Sequence, residues 1–189
     1  MLVLALPVMG LVATLVWLTS RGPVFFAHTR CGRYGIPFQC LKFRTMVTHA
    51  QEWLEEDLQL RKKHRENGFK LQVQHDPRVT LLGRILRQTY LDELPQLINV
   101  IRGEMSLVGP RPIIKEELEW YGDQKDELLS IRPGIFGSWT ALGQARPDYP
   151  DRKLVELEYL ASTAWDRDLR ILLKHIPVLL VGQQEKDLC

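Results

Sequence analysis

The sequence predicts a mostly α-helical domain with a small β-hairpin, an α+β fold, behind an uncharged apolar helix. Three observations predict it. Residues 1–20 contain no charged side chain. Two extended apolar runs, PVFFAHT (23–29) and PFQCLKF (37–43), flank a turn holding Gly32 and Gly35, the pattern of a hairpin with a long turn. Downstream, apolar residues recur at helical spacing, most clearly Leu94, Leu97, Ile98 and Ile101 at i, i+3, i+4 and i+7.

The chain has 189 residues and a formal net charge of +2. That length suits one compact domain with a short appendage. The total charge says little about partners, but its distribution is uneven. Arg and Lys cluster at Arg30 and Arg33, Lys42 and Arg44, 61–65, Arg84 and Arg87, and Arg102 and Arg111. Such clusters in a balanced chain suit phosphate or anionic lipid. Cys31, Cys40 and Cys189 are odd in number and form no CxxC. Neither a disulfide framework nor a zinc site is expected, and a reducing surrounding follows.

The first element, MLVLALPVMGLVATLVWL (1–18), would be about 27 Å long as a straight helix. A hydrocarbon core is about 30 Å thick. Pro7 lies inside it and favours a kink or break. Its residues alone leave open a spanning helix, a buried core helix or a re-entrant helix broken near Pro7. After the hairpin, 48–66 is rich in Glu, Gln, Lys, Arg and Leu and reads as an exposed helix. Over 79–88, Leu81, Leu82, Ile85 and Leu86 form one helical face and Arg84 and Arg87 the other. Pro95 suits the first turn of the next helix and Gly103 its stop, which places Asp92 and Glu93 at a helix N-terminus. GPRP within 104–114 predicts a rigid loop. Helices are expected over 113–130 and 151–161, a loop over 131–150, and an apolar amphipathic segment over 167–181.

An Asp ahead of an amphipathic helix is ordinarily an N-cap, and a following Glu suits the helix dipole. Here cations flank the pair: Arg84 and Arg87 before it, Arg111 after it. Adjacent carboxylates repel unless a cation lies between them, and Mg²⁺ takes one or two carboxylates together with phosphate oxygens. A carboxylate can also attack phosphorus to give an acyl phosphate, and phosphoryl transfer asks for positioning and charge neutralisation. There is no Walker A motif and no GxGxxG. His28, His49, His64, His75 and His175 lack metal-ligand spacing and read as surface or structural. Trp139, Tyr149, Tyr159 and Trp165 read as core or interface aromatics.

The string LDELPQLINVIRGEMSLVGPRP (91–112), with KFRTM (42–46), DPRVT (76–80) and RPGI (132–135), resembles the bacterial sugar transferase family, the monotopic polyprenyl-phosphate phosphoglycosyl transferases. The motifs stand in the family's order over nearly the whole chain. The resemblance implies a re-entrant membrane helix at 1–22, broken near Pro7 and shortened or truncated at its start. It implies a catalytic domain at 23–189 on the cytoplasmic face of a bacterial inner membrane, with amphipathic helices, including Ile171, Leu172, Ile176, Leu179 and Leu180, in the interface. It implies Asp92 and Glu93 as catalytic dyad, with Asp92 as nucleophile and, with Glu93, holding Mg²⁺. Arg87 and Arg111 would hold phosphates, Lys42 and Arg44 would support the site, and Arg132 and Arg146 join the phosphate-binding set. Glu104 matches an acidic family position without an assigned role. The expected partners are a UDP-sugar donor, a polyprenyl (undecaprenyl) phosphate acceptor and membrane lipid, with no nucleic acid and with homodimerisation open. The products would be a polyprenyl-diphosphate sugar and UMP.

The long stretch at 47–75 resembles the branch acting on UDP-glucose or UDP-galactose. The 135–146 segment, IFGSWTALGQAR, departs from the family's usual ITGLWQVSGR, keeping Trp139 and Gly143, with Arg146 placed to substitute for a shifted arginine. That departure motivates the alternative of a membrane-bound UDP-sugar-binding or scaffold relative without chemistry.

Overall fold

The computed structural model describes residues 2–66, 71, 73–145, 151–161 and 164–181. It is mostly helical with a two-stranded antiparallel sheet. Helix α1 (Leu2–Thr19) leads into strands β1 (Phe25–Cys31) and β2 (Pro37–Phe43), which pair from Phe25↔Phe43 to Cys31↔Pro37. The hairpin turn is a short 3₁₀ segment, Arg33–Gly35, in which Tyr34 and Gly35 both have positive φ. The expected hairpin is therefore present, with β2 on the expected residues and β1 starting two residues later than expected.

Helix α1 runs through Pro7 without interruption, so no reversal of the chain occurs at that residue. Among the described residues no helix is long and apolar enough to cross a membrane. α1 is apolar all round, but only one stripe is covered. Met9, Val12 and Val16 are buried, and with Phe43 and Leu86 they form a cluster also touched by Leu82, Leu91, Leu94 and Ile98. Leu6, Leu11, Leu15, Trp17 and Leu18 on its other sides stay exposed. The stripe of α1 thus packs directly on the residues that flank Asp92 and Glu93.

The expected single helix over 48–66 is two, α2 (Ala50–Glu56) and α3 (Leu58–Glu66). Asp57 breaks it: its extended backbone closes α2, and its carboxylate accepts the Gln59 and Leu60 N–H groups at the start of α3. Asp side chains favour this local bonding over a continued helix. Helix α4 (Leu81–Gln88) is capped by Thr80, whose hydroxyl accepts the Gly83 N–H at 3.0 Å. It buries Leu86 and half-buries Leu82, while Leu81 and Ile85 are exposed, so the apolar face read from the sequence is only partly internal.

Helix α5 (Gln96–Ile101) begins one residue after Pro95, later than expected. Asp92 and Glu93 stand before it in a 3₁₀ turn, Leu91–Glu93, linked to α5 by the Leu97 N–H to Leu94 and Ile98 N–H to Pro95 carbonyl bonds. Asn99 of α5 ties this region to β2. Its amide oxygen accepts the Leu41 N–H at 3.0 Å and its NH₂ donates to the Gln39 carbonyl at 2.8 Å.

The segments expected as loops at 104–114 and 131–150 contain two strands, β3 (Ser106–Val108) and β4 (Gly134–Phe136), which pair in parallel. Three-residue strands lack the length to show any periodicity. The pair depends on Gly109 and Gly134: a Cβ on Gly134 would stand 2.1 Å from the Gly109 nitrogen. The crossover between them is a 3₁₀ helix, Lys115–Gln124, followed by α6 (Lys125–Leu128). The expected α-helix at 113–130 is therefore mostly 3₁₀, with a kink at Gly122, where φ is +53°. Helices α7 (Asp151–Ala161) and α8 (Trp165–Val181) close the described chain. Val108, Tyr159 and Ile171 share one buried cluster, and Ile113, Tyr121 and Leu128 another.

Candidate active site

The dyad is presented by a strained turn. Tyr90 takes the left-handed conformation, φ 57° and ψ 12°, which bulky residues rarely adopt. This turns the chain out of α4 and directs Leu91 and Leu94 into the α1 cluster, with Asp92 and Glu93 between them. Asp92 is 6% exposed. Its carboxyl is pushed up to about 6, mainly by burial; Lys42 opposes that shift, Glu93 adds to it, and Arg87 and the Asp92 amide oppose it.

Lys42 comes from β2 and pairs with the Glu93 carboxylate at 2.6 Å. Arg87 lies in the last turn of α4 and donates from Nε to the Thr45 hydroxyl at 2.9 Å. That contact depends on close docking of α4 on the strand-end segment. Thr80 donates from its N–H and hydroxyl to the Thr45 carbonyl, and a Cβ on Gly83 would lie 2.0 Å from the same oxygen. Gly83 is there because no side chain fits.

The alternation of the hairpin puts Arg30, His28, Cys40 and Lys42 on one face, with Arg30 opposite Phe38 and His28 opposite Cys40. Arg111, from the GPRP loop, joins them. Burial and then the Arg111 charge lower the Arg30 guanidinium. His28 is lowered by burial and then by Arg30 and Lys42. Cys40 is raised by burial, against the pull of Lys42, Arg30 and Arg111. Lys42 and Arg87 thus set positive charge beside Asp92, Arg30 acts on Glu93 from the same hairpin face, and Arg111 adjoins Arg30 and Cys40; Arg30 is a member that the sequence had not singled out. Cys31 and Cys40 are free thiols.

Other expected site residues lie elsewhere. The Arg44 guanidinium turns to the end of α1 and donates to the Ser20 carbonyl and hydroxyl at 2.7 and 2.6 Å. The strand ends at Phe43, so the two-residue period that would align Arg44 with Lys42 no longer applies. Arg132 is exposed, and its guanidinium lies near Gly103, at the opposite end of α5 from the dyad. Arg146 lies outside the described residues. Glu104 accepts from the Asn99 NH₂ at 2.6 Å, which makes it a brace for the α5–β2 link. Trp139 is buried, with the Arg152 and Arg111 guanidinium groups 4.5 and 5.8 Å from its ring centroid. His175 is buried too, bonded to Thr140 at 2.9 Å and to the Ile171 carbonyl at 2.8 Å, so its role is structural.

Among the described residues no three His, Cys, Asp or Glu side chains converge as a cage built from protein alone requires. The two adjacent carboxylates, with Asp92 raised mainly by burial and further by the Glu93 charge, instead suit a hard cation that takes its remaining ligands from phosphate and water.

The model of the bacterial sugar transferase family matches residues 1–182. The chain is 40% identical over 183 residues to the exopolysaccharide production protein ExoY of Rhizobium meliloti, covering 96% of this chain and 81% of that protein. It is 45% identical over 163 residues to the undecaprenyl-phosphate galactose phosphotransferase of Salmonella typhimurium, covering 84% of this chain and 34% of that protein. It is 38% identical over 187 residues to the UDP-glucose:undecaprenyl-phosphate glucose-1-phosphate transferase of Caulobacter vibrioides, covering 92% of this chain and 63% of that protein. It therefore spans most of the ExoY protein but only about a third of the Salmonella one. With a buried carboxylate flanked by Lys42 and Arg87 and a match along almost its whole length, the chain belongs to the bacterial sugar transferase family and is a transferase.

Proposed function

We propose that this protein moves a hexose 1-phosphate from UDP-glucose or UDP-galactose to polyprenyl phosphate at a membrane face, through a covalent Asp92 intermediate. The observation that carries the reading is Asp92 itself: a carboxylate buried in a rigid turn, raised to about 6 and bordered by Lys42 and Arg87. A carboxylate with that value is still mostly ionised at neutral pH and is more basic than an ordinary aspartate. The donor and acceptor classes follow the relatives named for UDP-glucose and for undecaprenyl-phosphate galactose transfer.

In the first step an Asp92 oxygen attacks the β-phosphorus of the UDP-sugar. The bond from that phosphorus to the bridging oxygen breaks, and UMP leaves with the electron pair. In the second step a phosphate oxygen of the polyprenyl phosphate attacks the same phosphorus, and the Asp92 carboxylate is released. Arg87, steadied by Thr45, and Arg111 face the charge on the transferring phosphates. Lys42 holds Glu93 in place beside Asp92. Mg²⁺ held by Asp92 and Glu93 together with donor phosphates would offset the charge that builds on the leaving UMP. The uncovered apolar sides of α1, next to the turn that carries the dyad, support placement at a lipid surface, where an insoluble acceptor would arrive.

The test is UMP release from each UDP-sugar with undecaprenyl phosphate and Mg²⁺. Release by the native protein and its loss in Asp92→Asn are expected. Near-native turnover in that variant would overturn the nucleophile assignment, and donor binding without any UMP release by the native protein would favour a binding role.

A further inference from the structure

The loop that carries Arg111 is held from behind by a second pair of buried carboxylates, outside the dyad. Glu156 of α7 accepts the Arg111 backbone N–H with its two oxygens at 3.3 and 3.5 Å. Glu117, in the 3₁₀ helix, accepts the Ile114 N–H at 3.0 Å. Arg152 stands one turn before Glu156 and joins the two, with Nη1 3.5 Å from Glu117 and Nε 3.9 Å from Glu156. Arg30 reaches Glu117 from the hairpin at 3.5 Å. Glu156 is 1% exposed, Glu117 and Arg152 6%. β1, the GPRP loop, the crossover and α7 therefore meet in one polar knot, and that knot sets the backbone from which the Arg111 side chain leaves.

Apolar side chains of similar size would hold these segments together at least as firmly, because desolvation cancels much of the gain from buried ion pairs. What a carboxylate adds is a strong acceptor for one backbone N–H and a charge that can change. We infer that Glu156 is a positioning residue: oriented by Arg152, its carboxylate fixes the Arg111 segment in the geometry that grips the donor diphosphate. This rests on the proposed phosphate-holding role of Arg111.

Glu156 is also set to titrate near neutrality. Burial pushes its carboxyl up to about 7, against Arg152, the Arg111 amide and the Arg111 charge, and with a further push from Glu117. The groups facing it are Arg152 and Tyr159 on its own helix, Arg111 on the loop and Glu117 on the crossover. Tyr159 stays a neutral phenol, since burial and its bond to Asp168 raise it further. Protonation turns the anionic acceptor of the Arg111 N–H into a neutral one. Donor grip is therefore strong above the Glu156 value and slackens as pH falls through it.

The test is donor binding, separated from turnover. UDP-glucose and UDP-galactose are titrated calorimetrically into the detergent-solubilised Asp92→Asn protein between pH 6 and 8.5, a window in which the donor's diphosphate does not titrate. The expected result is a Kd several-fold tighter at the upper end. Adding Glu156→Gln should flatten that dependence and leave the Kd near its weak, low-pH value, while Glu156→Asp should restore part of the slope. A Gln variant with the parent's affinity and pH dependence would overturn the inference. If Glu156→Gln fails to fold, Arg152→Lys decides. That change weakens the support for the ionised carboxylate and should move the binding midpoint to higher pH, whereas an unmoved midpoint would count against the inference. Persistent UMP release by the Asp92→Asn protein would sink the nucleophile reading alone, because it leaves the Glu156 slope untouched.

Discussion

At Asp92, stability and reactivity pull in opposite directions. The group titrates at about 6 in the folded protein and near the ordinary aspartate value of about 3.9 when unfolded. The native state therefore holds the proton more tightly between those values. This contribution to stability is fully present below about pH 4 and is lost as pH rises through about 6. An Asn at this position carries no charge to bury. Asp92→Asn should raise stability at pH 7 by on the order of 2–3 kcal/mol in a chelating buffer, and the advantage should shrink toward zero near pH 4. Thermal melts at the two pH values measure this; equal melting temperatures for the two proteins at pH 7 would contradict it. Tyr90 tells the same story in backbone terms, since a left-handed tyrosine directly before the dyad is strain stored where the chemistry is proposed.

At the scale of elements, the fit of α4 against the segment after β2 positions Arg87. Gly83→Ala would drive a Cβ into the Thr45 carbonyl, and the helix can yield only by backing away. A loss of about 1–3 kcal/mol or more is expected, with Arg87 drawn off the Thr45 hydroxyl and turnover reduced beyond what the stability loss explains. Denaturant midpoints and UMP release together measure this; native values for both would exclude the close approach. Elements with enough length were legible from the sequence. The hairpin showed as two apolar runs around glycines, and α4, α5, α7 and α8 showed through helical spacing and caps. The break at Asp57 was missed because its cause is a local side-chain bond inside a helix-rich composition. β3 and β4 were missed because three-residue parallel strands are specified by back-to-back glycines far apart in sequence, and no local pattern records that. The dyad itself stood slightly ahead of its expected helix because the tight turn after Tyr90 intervenes.

For the whole molecule, the arrangement joins an apolar surface to a polar site through one cluster of side chains. Met9, Val12 and Val16 pack on Leu91 and Leu94, while Leu11, Leu15 and Trp17 on the other sides of α1 stay exposed, the surface proposed to meet lipid. Leu11→Lys and Leu15→Lys should leave the fold intact, since both positions are exposed, and each should weaken sedimentation with anionic vesicles by roughly ten- to a hundredfold, the equivalent of about 1.5–3 kcal/mol of lost apolar burial. Unchanged sedimentation would remove α1 from the proposed lipid surface. The site was legible to the extent that motifs are contiguous. Asp92, Glu93, Lys42 and Arg87 do come together, and Arg111 lies beyond them beside Arg30 and Cys40. Arg44 and Arg132 do not join them, because their backbones turn them toward Ser20 and Gly103. Arg30, Glu117 and Glu156 come from distant parts of the chain, and only the tertiary fold shows what they hold.

The most direct test of the central claim is mass spectrometry of the intact protein after brief exposure to UDP-glucose or UDP-galactose and Mg²⁺ without acceptor. A hexose-phosphate adduct mapping to Asp92, formed in step with UMP and discharged by undecaprenyl phosphate, is the predicted result. Turnover with acceptor present but no adduct at Asp92 under any quench, together with UMP release by Asp92→Asn, would contradict it.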